Sequence, residues 1–155
     1  MGLEIERKYL VNKEKWDKVN KTKKQFMRQG YLIADPKKTI RVRLAGNQGF
    51  LTIKGLSVGA TRPEFEYKIP KNDAVRLLEN FAVAGLTKVR YYINYKNKVW
   101  EVDEFAGENS GLIIAEIELS SENEQYEIPE WIEKEVTGEA KYYNSNLSKN
   151  PYKNW

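Results

Sequence analysis

Through most of the chain, apolar and polar side chains alternate one for one, the period of a strand with one buried face. The alternation runs through residues 3–11, 26–34, 39–45, 50–55, 64–69, 87–95, 99–105 and 112–120. Turn-forming residues separate these segments: Asp35-Pro36, the hairpin stretch 46–49, Gly59 and Pro63, Pro70, Lys96-Asn97, and the stretch 107–111. The period changes after Asn72, where Ala74, Leu77, Leu78 and Phe81 fall at i, i+3, i+4 and i+7. That spacing predicts an amphipathic helix over 72–82, capped by Asn72 or Asp73 and stopped by Gly85. Asn12 can cap a short helix through Trp16 and Val19, and Thr137 can cap a last one with Ala140, Tyr143 and Leu147 on one side. Residues 128–131 read as irregular. No repeat or linker divides the 155 residues, which are enough for one domain with a sizeable core and read as such, 1–155.

Following the alternation face by face, the polar positions are mostly charged, and like charges share a strand. Glu4, Glu6 and Lys8 share one face of the first segment, opposite Leu3, Ile5, Arg7 and Tyr9. Arg41 pairs with Arg43, Thr52 with Lys54, Glu64 and Glu66 with Lys68, Lys88 with Arg90, Glu101 with Asp103, and Glu116 with Glu118. The wet face of an ordinary antiparallel sheet is the simplest account. Yet such a face has no reason to segregate charge by strand, because cross-strand pairing favours alternation of sign. A sheet closed on itself, with the charged face inside, accounts for the pattern better: basic and acidic strands then look at each other across a polar lumen. The apolar face would point outward and be covered by helices or by another subunit, so a homodimer is one expectation. A lumen so charged calls for a polyanion together with a cation, as in magnesium with a polyphosphate.

Composition narrows the chemistry. The chain has neither cysteine nor histidine, which removes thiolate and imidazole ligands and the histidine-dependent triads. A metal here must be held by carboxylates and be hard: magnesium, manganese or calcium. No run reaches the ~20 apolar residues of a membrane span, no signal-peptide core is present, and Glu6 stands where a myristoylation motif would carry Ser or Thr. A cytoplasmic protein with no membrane partner is expected. The net charge of +4 favours an anionic partner.

EIERKYLV, at residues 4–11, resembles the ExExK signature of the CYTH superfamily, the triphosphate tunnel metalloenzymes. The resemblance continues in order through RQGYL (28–32), TIRVRL (39–44), LTIKG (51–55), RPEFEY (62–67), KVRYYI (88–93), WEVDEF (100–105), AEIEL (115–119) and EVTGEAKYYN (135–144). It implies a mainly β fold, a closed eight-stranded antiparallel barrel with a few flanking helices, binding a triphosphate in its tunnel. It also implies roles. Glu4, Glu6, Glu116 and Glu118 would be metal carboxylates, with Glu64, Glu66 and Asp103 as supporting acids that could serve a second cation. Lys8, Arg41, Arg43, Lys54, Arg62, Lys88 and Arg90 would form the phosphate clamp, and Lys141 would close the tunnel near the phosphates. Catalysis would fall to Glu4, Glu6, Lys8, Arg41, Arg43, Asp103 and Lys141 with Mg2+ or Mn2+ and no covalent nucleophile.

Within the family the chain resembles the small bacterial inorganic triphosphatases, so hydrolysis of inorganic triphosphate, then of nucleoside triphosphates, is expected. Cyclase-like members carry a His-Phe element, which a chain without histidine lacks; a class IV-like adenylate cyclase is the alternative within the family. Outside it stands a non-catalytic polyphosphate or nucleic-acid binder, which the net charge and Tyr31, Tyr91, Tyr92 and Trp100 would suit. Those aromatics also read as outward-facing apolar positions, and the acids interleaved with the basic residues oppose a phosphate backbone, so nucleic acid is not the expected partner.

Overall fold

The computed structural model describes residues 2–155. The first strand, β1 (Leu3–Val11), is where the sheet closes. On one edge its residues 6–10 pair antiparallel with β8 (Ile113–Glu118), Glu6 opposite Glu118 and Lys8 opposite Glu116. On the other edge the first half pairs with β5 (Thr61–Ile69), and the second half pairs with a short ninth strand, β9 (Ile132–Glu135). The remaining strands are β2 (Lys24–Asp35), β3 (Lys38–Ala45), β4 (Gln48–Gly55), β6 (Ala84–Tyr95) and β7 (Lys98–Phe105). The order β5-β4-β3-β2-β6-β7-β8-β1, returning to β5, is a closed eight-stranded antiparallel barrel with β9 as an addition at the seam. Closure leaves the barrel strands few unpaired edges.

With the charged faces turned in, the apolar faces need covers, and three segments supply them. Helix α1 (Lys13–Asp17) is capped by the Asn12 side chain, which accepts from the Lys15 amide. It buries Trp16 against Trp131, ring centroids 5.1 Å apart, beside Trp100, Tyr9 and Ile117. Helix α2 (Lys71–Phe81) sets Ala74 and Leu78 on Val42. The C-terminal segment packs Tyr142 and Leu147 over Leu86, Phe105 and Ile114. On β5 the outward Phe65 and Tyr67 remain exposed, and Lys68 is exposed at that strand's far end.

Several local expectations are corrected. No side chain caps α2, whose N-cap is Pro70. Gly85 does not stop it: the chain leaves the helix at Ala82, Val83 N donates to Tyr31 O at 2.9 Å, and Gly85 already lies in β6 opposite Gly30. The last helix is two short pieces, a 3₁₀ turn over Ala140–Tyr142 and α3 (Asn144–Leu147), separated by Tyr143 in extended conformation. Residues 128–131 are irregular as expected, but β9 follows them at once. Two of the four aromatics expected on the outer face lie elsewhere. Tyr31 is buried and lines the interior, and Tyr92 shares the phase of Arg90 and reaches Gln25 Oε1.

Candidate functional site

The barrel encloses a cavity of about 190 Å³. Thirteen of the residues given a site role from the sequence line it: Glu4, Glu6, Lys8, Arg41, Arg43, Lys54, Arg62, Glu64, Glu66, Lys88, Arg90, Glu116 and Glu118. They converge because each sits on the inward phase of its strand, so that six strands spread along the chain present them to one lumen. Asp103 shares the inward phase but does not line the cavity: it is 1% exposed, bonded to two of the cations. Lys141 is not brought in. It is exposed, with its ammonium 4.3 Å from the centre of the Trp155 ring. The extended break at Tyr143 turns Tyr143, Asn144 and Ser145 into the cavity instead.

The ionic partners divide the lining cations into two groups. Arg90 is saturated by carboxylates: Nε and Nη2 donate to Asp103 at 2.8 Å each, Nη2 to Glu116 at 3.0 Å, and Nη1 lies 3.4 Å from Glu101. Burial alone would lower its pKa, but Asp103 outweighs that and raises it well above the ordinary arginine value. Lys8 meets Glu116 at 3.4 Å, and Lys54 lies 3.1 Å from Glu4 and 3.3 Å from Glu64. Arg41 reaches Glu66 only at 3.5 Å, and its buried Nε has no hydrogen-bond partner. Arg43 makes no ion pair among the described residues; its Nε donates to the neutral Gln29 Oε1 at 3.1 Å. Burial, then the charges of Arg41 and Arg90, push Arg43 down to about 10.

The acids divide in the same way. Burial would raise Glu116, but Lys8 and Arg90 outweigh it and hold the carboxyl at about 2. Asp103 is likewise held far below the carboxylate range despite its burial, by Arg90 and Lys88. Because Asp103 serves two cations, the pull on Lys88 is incomplete. Burial wins there, with Arg90 and Arg43 adding to it, and Lys88 falls to about 7. Glu6 goes the other way, to about 7, through burial and then the nearby Glu116 and Glu4. Glu4 is also raised, chiefly by burial.

These acids fit a hard divalent cation. Glu4 and Glu6 are half-buried oxygen donors whose ionisation is held back, chiefly by loss of solvent, and a cation beside them would restore it. No three acidic groups among the described residues converge tightly enough to hold an ion alone. That suits magnesium-type binding, where one or two carboxylates hold the ion and phosphate oxygens and water complete the shell.

Lining residues not assigned a role from the sequence are Tyr31, Thr39, Glu101, Tyr143, Asn144 and Ser145. The first three were within reach of the alternation rule: Thr39 shares the phase of Arg41, Glu101 that of Asp103, and Tyr31 lies opposite Arg41 in the β2–β3 register. The last three owe their place to a bend that no local pattern marks.

The CYTH domain profile matches residues 2–151. The chain is 47% identical, over 156 residues covering all of it and 99% of the other protein, to the inorganic triphosphatase of Acetivibrio thermocellus. It is 32% identical to the inorganic triphosphatase of Nitrosomonas europaea, over 94% of this chain and 96% of that one. The crystal structure of the inorganic triphosphatase NE1496 superposes with a TM-score of 0.64 at 30% identity, covering 94% of this chain and 93% of that one.

Proposed function

The chain belongs to the CYTH domain family, and from that premise we propose that it hydrolyses triphosphate inside its barrel with a divalent cation, Mg2+ or Mn2+. Inorganic triphosphate is the preferred substrate and nucleoside triphosphates are secondary, in keeping with the activity named for both curated relatives. The observation that carries this reading is Arg43, a half-buried guanidinium with only an amide for partner, beside a buried Arg41 whose Nε has none. Uncompensated buried cations are costly unless an anion completes them, and phosphate oxygens match the guanidinium fork.

In this reading Arg41, Arg43 and Lys88 grip the phosphate chain, while Lys8, Lys54 and Arg90 stand ready to exchange carboxylate partners for phosphate oxygens. Arg62, whose guanidinium donates to Gly55 O at 3.1 Å, is anchored at the cavity wall. Glu4 and Glu6, with Glu116 and Glu118 next to them, would hold the cation, and Glu64 and Glu66 support its surroundings. The cation, when bound, neutralises phosphate charge and polarises the bond to be broken. The basic side chains stabilise charge on the transferred phosphoryl, water is the acceptor, and an ionised carboxylate orients it.

Purified protein given inorganic triphosphate, ATP, GTP and pyrophosphate at one Mg2+ concentration should release phosphate with the highest kcat/KM from triphosphate. ATP and GTP should be nearly equal, and pyrophosphate, too short to span the clamp, poor. EDTA should abolish turnover. Cyclic AMP as product, or a strong preference for ATP over both GTP and triphosphate, would reassign the reaction to cyclisation.

A further inference from the structure

Two of the clamp cations, Arg43 and Lys88, are joined by a chain of neutral amides. Arg43 Nε donates to Gln29 Oε1 at 3.1 Å; Gln29 Nε2 donates to Asn144 Oδ1 at 3.1 Å; and Lys88 Nζ donates to the same Asn144 oxygen at 2.8 Å. Gln29, on β2, is 1% exposed and also donates to the Tyr31 hydroxyl at 3.2 Å. The orientation of both amides follows from the ends of the chain. Guanidinium and ammonium groups only donate, so an oxygen must face each, which leaves the Gln29 NH2 pointing at the Asn144 oxygen.

We propose that Asn144 and Gln29 are positioning residues that set Lys88 and Arg43 for the phosphoryl chain. This rests on the triphosphatase reading given above. An amide suits the task where other side chains do not. A carboxylate at either position would fix the cation but cancel the charge that phosphate must meet, and an apolar residue would leave two long side chains free to move. Lys88 shows the balance: one oxygen of Asp103 at 2.7 Å anchors it, and Asn144 fixes its direction without adding negative charge. Asn144 also belongs to a different element from the strands that bear the cations. The site is therefore complete only when the segment after Tyr143 is docked.

The test compares Asn144→Ala, Asn144→Asp, Gln29→Ala, Lys88→Met and the double variant Asn144→Ala/Lys88→Met in triphosphate hydrolysis, with thermal unfolding of each as a check on folding. Asn144→Ala should lower kcat about ten- to a hundredfold, the range for a lost hydrogen bond to a charged group, and Gln29→Ala should act similarly through Arg43. KM should change little in both, because the charges stay. Asn144→Asp keeps the acceptor and adds a negative charge, so it should retain kcat and raise KM. In the Lys88→Met background, Asn144→Ala should cost no more than about twofold further, since its effect runs through the lysine. Unchanged kcat in Asn144→Ala, or full multiplication of the two losses in the double variant, would overturn the inference while leaving the triphosphatase reading intact. A wild-type protein that releases no phosphate from triphosphate would overturn both.

Discussion

Arg43, half-buried, and Arg90, buried, are both guanidiniums on the tunnel wall, and their surroundings ask opposite things of them. Arg90 is bound by three carboxylates, which phosphate would have to displace; Arg43 faces the lumen with a single amide contact. Arg43→Ala should therefore cost on the order of 2–4 kcal/mol in kcat/KM for triphosphate, the loss seen when one preorganised donor to developing charge is removed. Its melting temperature without ligand should hold or rise, because removing a partly desolvated charge that has no ionic partner relieves the folded state. Arg7, on the opposite face of β1, pairs with Glu135 at 3.0 Å on the outside of the barrel. Arg7→Ala should leave kcat/KM near wild type and cost less than about 1 kcal/mol in stability. Steady-state kinetics and thermal melts on the two variants check this, and equal losses of activity would refute the facing of the two arginines.

At the scale of elements, the glycines of β2 and β6 show what the alternation rule cannot see. Gly30 and Gly85 lie opposite one another, and a Cβ added at Gly85 would sit 2.8 Å from the backbone oxygen of Gln29. One added at Gly30 would meet Leu78 Cδ2 at 2.7 Å and Ala82 Cβ at 2.9 Å, so β2 is kept bare to let α2 lie close. Gly85→Ala should destabilise by about 1–3 kcal/mol, as overpacking against unyielding backbone does, measurable by urea unfolding. An Ala variant as stable as wild type would show that β6 can shift there. From sequence this glycine reads as a helix stop, since a glycine after an amphipathic stretch is the ordinary signal; its partner across the sheet is 55 positions away in register with Gly30 and leaves no local trace. All eight barrel strands were legible, because their period is local and the charges mark the inward phase. That Asn144 and not Lys141 would line the cavity was not legible. Helix or bend at Tyr143 is decided by what the segment docks on: Leu86, Phe105 and Ile114 beneath Tyr142 and Leu147, and Lys88, 56 residues before Asn144. Strand β9 was missed for a related reason: four residues, three of them charged, make a strand only because the far half of β1 has a free edge.

Over the whole molecule, the tunnel sets how stability varies with pH when no ligand is bound. Glu6 titrates at about 7 in the folded protein against an ordinary 4.5. Between those values the unfolded chain gives up the proton first, so stability falls as pH rises from about 4.5 to 7. Lys88 titrates at about 7 folded against an ordinary 10.5, and between those values the unfolded chain keeps a proton that the folded one has lost. Stability therefore rises again as pH climbs from about 7 to 10.5. Glu4 and Glu101, raised mainly by burial, deepen the first limb. Glu116, depressed to about 2, acts only below its ordinary 4.5, where its contribution is lost on acidification. The ligand-free protein should thus have a minimum of stability near neutral pH, on the order of a few kcal/mol below either side. Divalent cation and triphosphate together should fill that minimum, since one supplies positive charge to Glu6 and the other negative charge to Lys88. Thermal melts from pH 4.5 to 10, with and without Mg2+ and triphosphate, would show it. A ligand-free profile that peaks at pH 7 would mean that Glu6 and Lys88 already neutralise each other across the lumen, and that the empty tunnel is not the charge-strained cavity its partners describe.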